Sequence, residues 1–120
     1  MIRVWGRRSS VNVQKVLWTL AELGLPFTRE TVGGSFGGNR DADFLRMNPN
    51  GLVPVLHDGD VTMFESNAIV RYLCAEYGSG EMRPVDRVQL AAAEQWMEWQ
   101  QTTFAPPVGV MFWNNVRLPA

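Results

Sequence analysis

Apolar positions along the first part of the chain follow two periods. Ile2-Arg3-Val4-Trp5 alternates and stops at Gly6, which predicts a short strand. Val13, Val16, Leu17, Leu20 and Leu23 then recur at helical spacing, so residues 11–23 are expected to form an amphipathic helix. Ser10 occupies its N-cap position, and Gly24 followed by Pro26 supplies a stop. Residues 27–32 read as a second strand. The glycine-rich segment 33–39 reads as a loop, residues 41–47 as a short helix, and Asn48-Pro49-Asn50-Gly51 as a turn. Residues 52–57 and 61–64 are short apolar runs joined by the tight turn Asp58-Gly59-Asp60. Helical period returns with Ala68, Ile69, Tyr72, Leu73 and Glu76, and ends at Gly78. Residues 79–84 form a linker, and its Pro84 suits the first turn of another helix. Residues 85–103 are helical in composition. Pro106-Pro107 must kink or end that helix, because neither has an amide to donate. Val108 to Ala120 is apolar and follows neither period.

This order is β-α-β, a loop with a short helix, β-β-α, a linker and a long helix. Two strands joined by a helix favour a parallel, right-handed crossover. The hairpin around residue 59 adds an antiparallel edge. The expected fold is therefore α/β, a thioredoxin-like domain with a mixed four-stranded sheet, with Pro54 opening its third strand.

Composition narrows the function classes. The apolar fraction of 46% is enough for a core, and 120 residues exclude two full-sized domains. Eleven basic and twelve acidic residues are interspersed, so a nucleic-acid surface is not expected. Lys15 is the only lysine; the remaining basic charge is arginine. A single cysteine, Cys74, excludes an internal disulfide, a CxxC redox pair and a cysteine zinc site. His57 has no metal-ligand partner at suitable spacing, so it reads as structural and no metal is expected. No apolar run approaches the roughly 18 residues that span a bilayer, and no secretory signal opens the chain. A cytoplasmic protein without membrane or nucleic-acid partners is the expectation.

Three segments carry a family resemblance. Ser10-Val11-Asn12-Val13-Gln14-Lys15-Val16-Leu17-Trp18, followed by Glu22-Leu23-Gly24-Leu25-Pro26-Phe27, resembles the start of a glutathione transferase. Asn48-Pro49-Asn50-Gly51-Leu52-Val53-Pro54-Val55-Leu56 resembles that family's NPxGxVPxL segment. Phe64-Glu65-Ser66-Asn67-Ala68-Ile69 resembles its glutathione-recognition ESxAI segment. The first motif is nearest to the bacterial, serine-type, theta-like members. The resemblance implies a glutathione-binding domain over residues 1–78 and the incomplete start of an all-helical domain over residues 85–120. It implies transfer of glutathione, as co-substrate, to a small apolar electrophile in detoxification, by a homodimer. The alternative is a binding or interaction module that keeps the fold without turnover.

The chemistry requires a thiol with a pKa of roughly 8.5 to ionise near neutrality, at about 1.4 kcal/mol per unit of depression. A hydroxyl donor at a helix N-terminus can supply one or two units. From the residues alone Ser10 is an N-cap; the resemblance makes it also the donor to the glutathione sulfur. Ser9 is its neighbouring rival, and Asn12 a further one, kept as a supporting contact. The resemblance implies a cis Val53-Pro54 bond, with the Val53 main chain pairing with the cysteinyl backbone of glutathione. Ser66 would take the γ-glutamyl carboxylate and Glu65 its ammonium; read without the resemblance, the pair is only a capped helix start. Asn39 and Arg40 are candidates for the glycyl carboxylate. Cys74 reads as a small core residue, and with no cysteine near position 10 disulfide exchange is disfavoured.

Trp96, Trp99 and Phe104 are candidate walls of the electrophile pocket, or plain helix packing. Each large apolar side chain left bare forgoes roughly 1.5–3 kcal/mol. Residues 96–113 are therefore expected to belong to a longer chain or to be covered by a partner subunit.

Overall fold

A computed structural model describes residues 1–117 of the chain. They form two compact units, one spanning Met1–Met82 and the other starting at Arg83.

The first unit is built on a four-stranded sheet of order β2-β1-β3-β4, with β1 Ile2–Trp5, β2 Phe27–Glu30, β3 Val55–Asp58 and β4 Val61–Phe64. β1 and β2 run parallel, with Ile2 opposite Phe27, because helix α1 (Val11–Glu22) carries the chain across between them. β1–β3 and β3–β4 are antiparallel, the latter closed by the two-residue turn Gly59-Asp60. The sheet is mixed and four-stranded, as the pattern predicts.

Two strands are shorter than their apolar runs. β2 ends at Glu30, and Arg7 then takes the carbonyl of Val32 outside the ladder. β3 begins at Val55, so Pro54 precedes the strand instead of opening it. The fully buried Val55 and Leu56 are adjacent and so lie on opposite faces, which means that β3 is covered on both sides.

One core unites Ile2, Val4 and Leu56 of the sheet with Val16 and Leu20 of α1 and with Ile69 and Leu73 of α3 (Ser66–Tyr77). The helical spacing of the sequence places these side chains on one face of each helix. α1 ends as its Gly24 signal predicts: Gly24 has φ 65°, its amide donates to Ala21, and the Leu25 amide donates to Leu20. Short helix α2 (Ala42–Met47) buries Phe44 and leads into the turn before β3.

The second unit is helical. α4 (Arg87–Trp99) starts three residues after Pro84, because the Asp86 carboxylate caps it by accepting the amides of Val88 and Gln89 at 3.2 and 3.0 Å. Pro84 thus stays in the connection. Pro106 and Pro107 do not end the helical path. A π-helical turn, Gln100–Phe104, precedes them, with Ala105 donating to the carbonyl of Gln100. The prolines then fall in the opening turn of α5 (Ala105–Phe112), where missing amides are tolerated. A second π-helical turn spans Trp113–Arg117. Leu118, Pro119 and Ala120, also within the region expected to be helical, lie outside the described residues.

Candidate functional site

The site is assembled from the ends of three elements in the first unit. Ser10 is the N-cap of α1, extended at φ −77° and ψ 126°, and its hydroxyl oxygen accepts the Val13 amide at 3.4 Å. The hydroxyl hydrogen is not used in that bond, so capping leaves Ser10 able to donate. Ser10 is buried and Ser9 exposed. Gly6 permits this arrangement. A methyl group there would lie 2.4 Å from Cγ2 of Val13 and 3.3 Å from Cβ of Val53. The missing side chain therefore lets the end of β1 approach both α1 and the Val53 segment.

The Val53–Pro54 peptide is cis. The preceding turn is shaped by Asn48, which opens both the predicted turn and the NPxGxVPxL-like segment. Its side chain is buried; it donates to the Leu52 carbonyl at 2.8 Å and accepts from the Asn50 amide at 3.0 Å. Its signal was present in the sequence, since asparagine at the head of a turn often bonds the backbone two residues on. Asn39 donates to the Gly51 carbonyl at 2.9 Å and so fastens the loop before α2 to the same turn. Arg40 is exposed beside Gly51.

Glu65 is the one non-glycine residue among those described with positive φ, at 75°. It occupies the N-cap position of α3, yet its side chain makes no capping hydrogen bond. The capped-helix reading of Glu65 is therefore not realised. A side chain held in this sparsely populated region is a feature that clusters at ligand sites. Ser66 is buried, and its hydroxyl donates to Oδ1 of Asn12 at 3.3 Å across from α1. One turn further along α1, Lys15 donates to Oδ1 of Asn67 at 2.8 Å. Burial of the ammonium lowers the Lys15 pKa, and the Glu65 carboxylate partly raises it again. Lys15 stands out in the sequence as the sole lysine and lies within the first family-like segment, but no local signal ties it to Asn67, 52 residues further on.

Ser10, Asn12, Val53, Pro54, Glu65 and Ser66 thus lie at the N-terminal ends of α1 and α3 and at the entrance to β3, while Asn39 braces the turn. Trp96, Trp99 and Phe104 belong to the second unit and form a cluster of their own. Trp96 and Trp99 meet edge-on at 5.4 Å, Trp99 and Phe104 stack at 5.3 Å, and all three are exposed. His57 shares a hydrogen bond with Thr62 across the hairpin at 3.0 Å, and Cys74 is buried. Among the described residues no group of His, Cys, Asp or Glu is arranged to hold a metal, and no helix is long and apolar enough to cross a membrane.

Residues 9–76, which contain every element of this site, match the family model of the glutathione S-transferase N-terminal domain, and the chain belongs to the glutathione S-transferase family. Among its relatives, glutathione S-transferase GstB of Escherichia coli (strain K12) is 49% identical over 121 residues, 99% of this chain and 58% of that protein. Glutathione S-transferase 3 of Zea mays is 36% identical over 88% of this chain and 48% of its own length. Among solved structures, the theta class enzyme of the citrus canker pathogen Xanthomonas axonopodis pv. citri, with glutathione bound, superposes with a TM-score of 0.93 at 46% identity. That match covers 98% of this chain and 56% of the other. Poplar glutathione transferase F1 gives 0.91 at 32% identity, over 99% and 57% of the two chains. The chain spans about half the length of the relatives it matches.

Proposed function

We propose that the protein binds glutathione through its first unit and activates the thiol for attack on a small apolar electrophile. The observation that carries this reading is Ser10: a buried hydroxyl at the N-terminus of α1, with its hydrogen uncommitted to the cap. A sulfur placed there would receive one hydroxyl hydrogen bond and the positive end of the helix, and both favour thiolate over thiol.

The remaining roles divide along the tripeptide. The Val53 main chain pairs with the cysteinyl backbone in the manner of an added strand. The Ser66 amide at the start of α3 takes the γ-glutamyl carboxylate, and Glu65 takes its ammonium. Use of the Ser66 hydroxyl on the carboxylate requires its hydrogen to turn away from Asn12, to which it now donates. Asn12 then supports the sulfur side of the site, and Asn39 and Arg40 attend the glycyl end. Residues 1–78 are the glutathione domain in this reading, 79–84 the linker, and 85–120 the start of a helical domain whose Trp96, Trp99 and Phe104 line the electrophile pocket. The working form is a cytoplasmic homodimer that acts in detoxification.

Calorimetric titration with glutathione tests the reading. Saturable binding at one site per chain is expected. A chain folded by circular dichroism that takes up no glutathione would refute it.

A further inference from the structure

Glu65 poses an electrostatic problem for the γ-glutamyl end of glutathione. That end is a zwitterion, and its carboxylate would enter beside Ser66, one residue from the Glu65 carboxylate. Like charges at such separations repel and disfavour the bound state. The N-terminus of α3 alone offers only about half an elementary charge against this.

Two cross-helix hydrogen bonds reach the first turn of α3, and one of them sets a full positive charge beside it. Asn12 of α1 receives the Ser66 hydroxyl at 3.3 Å, and Lys15, one turn along the same helix, donates to Asn67 at 2.8 Å. The bonds engage consecutive residues of the first turn of α3. Because an ammonium can only donate, the bond from Lys15 also fixes which end of the Asn67 carboxamide faces it. We propose that Lys15 is a positioning residue that makes the start of α3 accept a carboxylate, by balancing the charge of Glu65 and holding Asn67 in place. The inference rests on the glutathione reading above. The mutual attraction of Lys15 and Glu65, which opposes the effect of burial on the ammonium, agrees with it.

The probe is deaminated glutathione, which keeps the γ-glutamyl carboxylate and lacks the ammonium. Lys15→Met retains the half-buried stem and removes the charge. It is expected to weaken binding of this probe about tenfold, on the scale of one charge-assisted hydrogen bond. Lys15→Arg should restore most of the affinity. The double variant Lys15→Met, Glu65→Gln should also restore it, because the repelling charge is then gone. A purely structural role for Lys15 would not be rescued by removing Glu65. Thermal melts of each variant establish that it is folded. Unchanged probe affinity in Lys15→Met, or a double variant as weak as the single one, would overturn the inference while glutathione binding by the unsubstituted protein stands. Failure of the unsubstituted protein to bind glutathione would overturn the underlying reading and this inference together.

Discussion

Ser10 accepts the amide of Val13 at 3.4 Å, and this one bond separates two roles that a sequence cannot separate. The oxygen serves the helix, and the hydrogen takes no part in that bond. Ser10→Ala removes both. The cap is long, so its loss should cost about 0.5–1 kcal/mol of stability, the lower part of the range for such caps. Turnover should fall by about ten- to a hundredfold, as expected for loss of one or two pKa units of thiolate stabilisation, while glutathione still binds. Ultraviolet titration of the bound thiolate, alongside initial rates with a small aromatic electrophile, measures this. Unchanged turnover would remove Ser10 from the chemistry.

Gly6 and Val13 make a second prediction. A methyl group at position 6 would meet Cγ2 of a fully buried valine at 2.4 Å, with Val53 at 3.3 Å on another side. Val13 has no open space to move into. Gly6→Ala should therefore destabilise the first unit by about 1–3 kcal/mol, the usual cost of overpacking. The spread of the Val53 segment from α1 should also weaken glutathione binding. Urea unfolding followed by tryptophan fluorescence gives the first quantity and calorimetry the second; a melt like that of the unsubstituted protein would contradict the packing argument.

Tyr72 and Tyr77 both donate to one oxygen of Asp58, at 2.8 and 2.5 Å, and tie the last turns of α3 to the β3–β4 hairpin. The Tyr77 hydrogen bond leads in holding the Asp58 carboxyl below its ordinary 3.8. Burial, followed by the bond to Asp58, pushes the Tyr72 hydroxyl up to about 12. The signs follow from linkage. The Asp58 contribution is present above its ordinary pKa and is lost as pH falls through its lower folded value. The Tyr72 contribution is complete below 10.0 and is lost as pH rises from there toward about 12. Asp58→Asn should flatten the acid limb of a plot of urea midpoint against pH, shrink the alkaline limb only in part because the burial of Tyr72 persists, and lower the neutral plateau modestly, since the groups are partly solvated. Of the tyrosines, Tyr72→Phe should lower the midpoint more than Tyr77→Phe, because Tyr72 is the less exposed. Limbs as steep in Asp58→Asn as in the unsubstituted protein would assign the pH dependence elsewhere.

Much of the fold was legible because periodicity and chain punctuation act locally. The spacing of Val13, Val16 and Leu20 placed α1 and its buried face, and Gly24 placed its end. The errors were also local competitions. Asp86 outbid Pro84 for the start of α4 by capping two amides. Pro106 and Pro107 were accommodated because a wider turn changed the hydrogen-bond pattern before them.

The sequence by itself determined the order of strands and longer helices in the first unit, the core faces of α1 and α3, the capping of Ser10 and the family to which its motifs belong. These follow from residue type and spacing, which act over a few positions. The tertiary structure decided the rest. It set Glu65 at φ 75° without a cap, turned Ser66 toward Asn12, and laid Lys15 against Asn67 across 52 residues of chain. Such contacts depend on how two helices lie on a shared sheet, and that geometry comes from the packing of Leu20, Leu56, Ile69 and Leu73 together, not from any one segment.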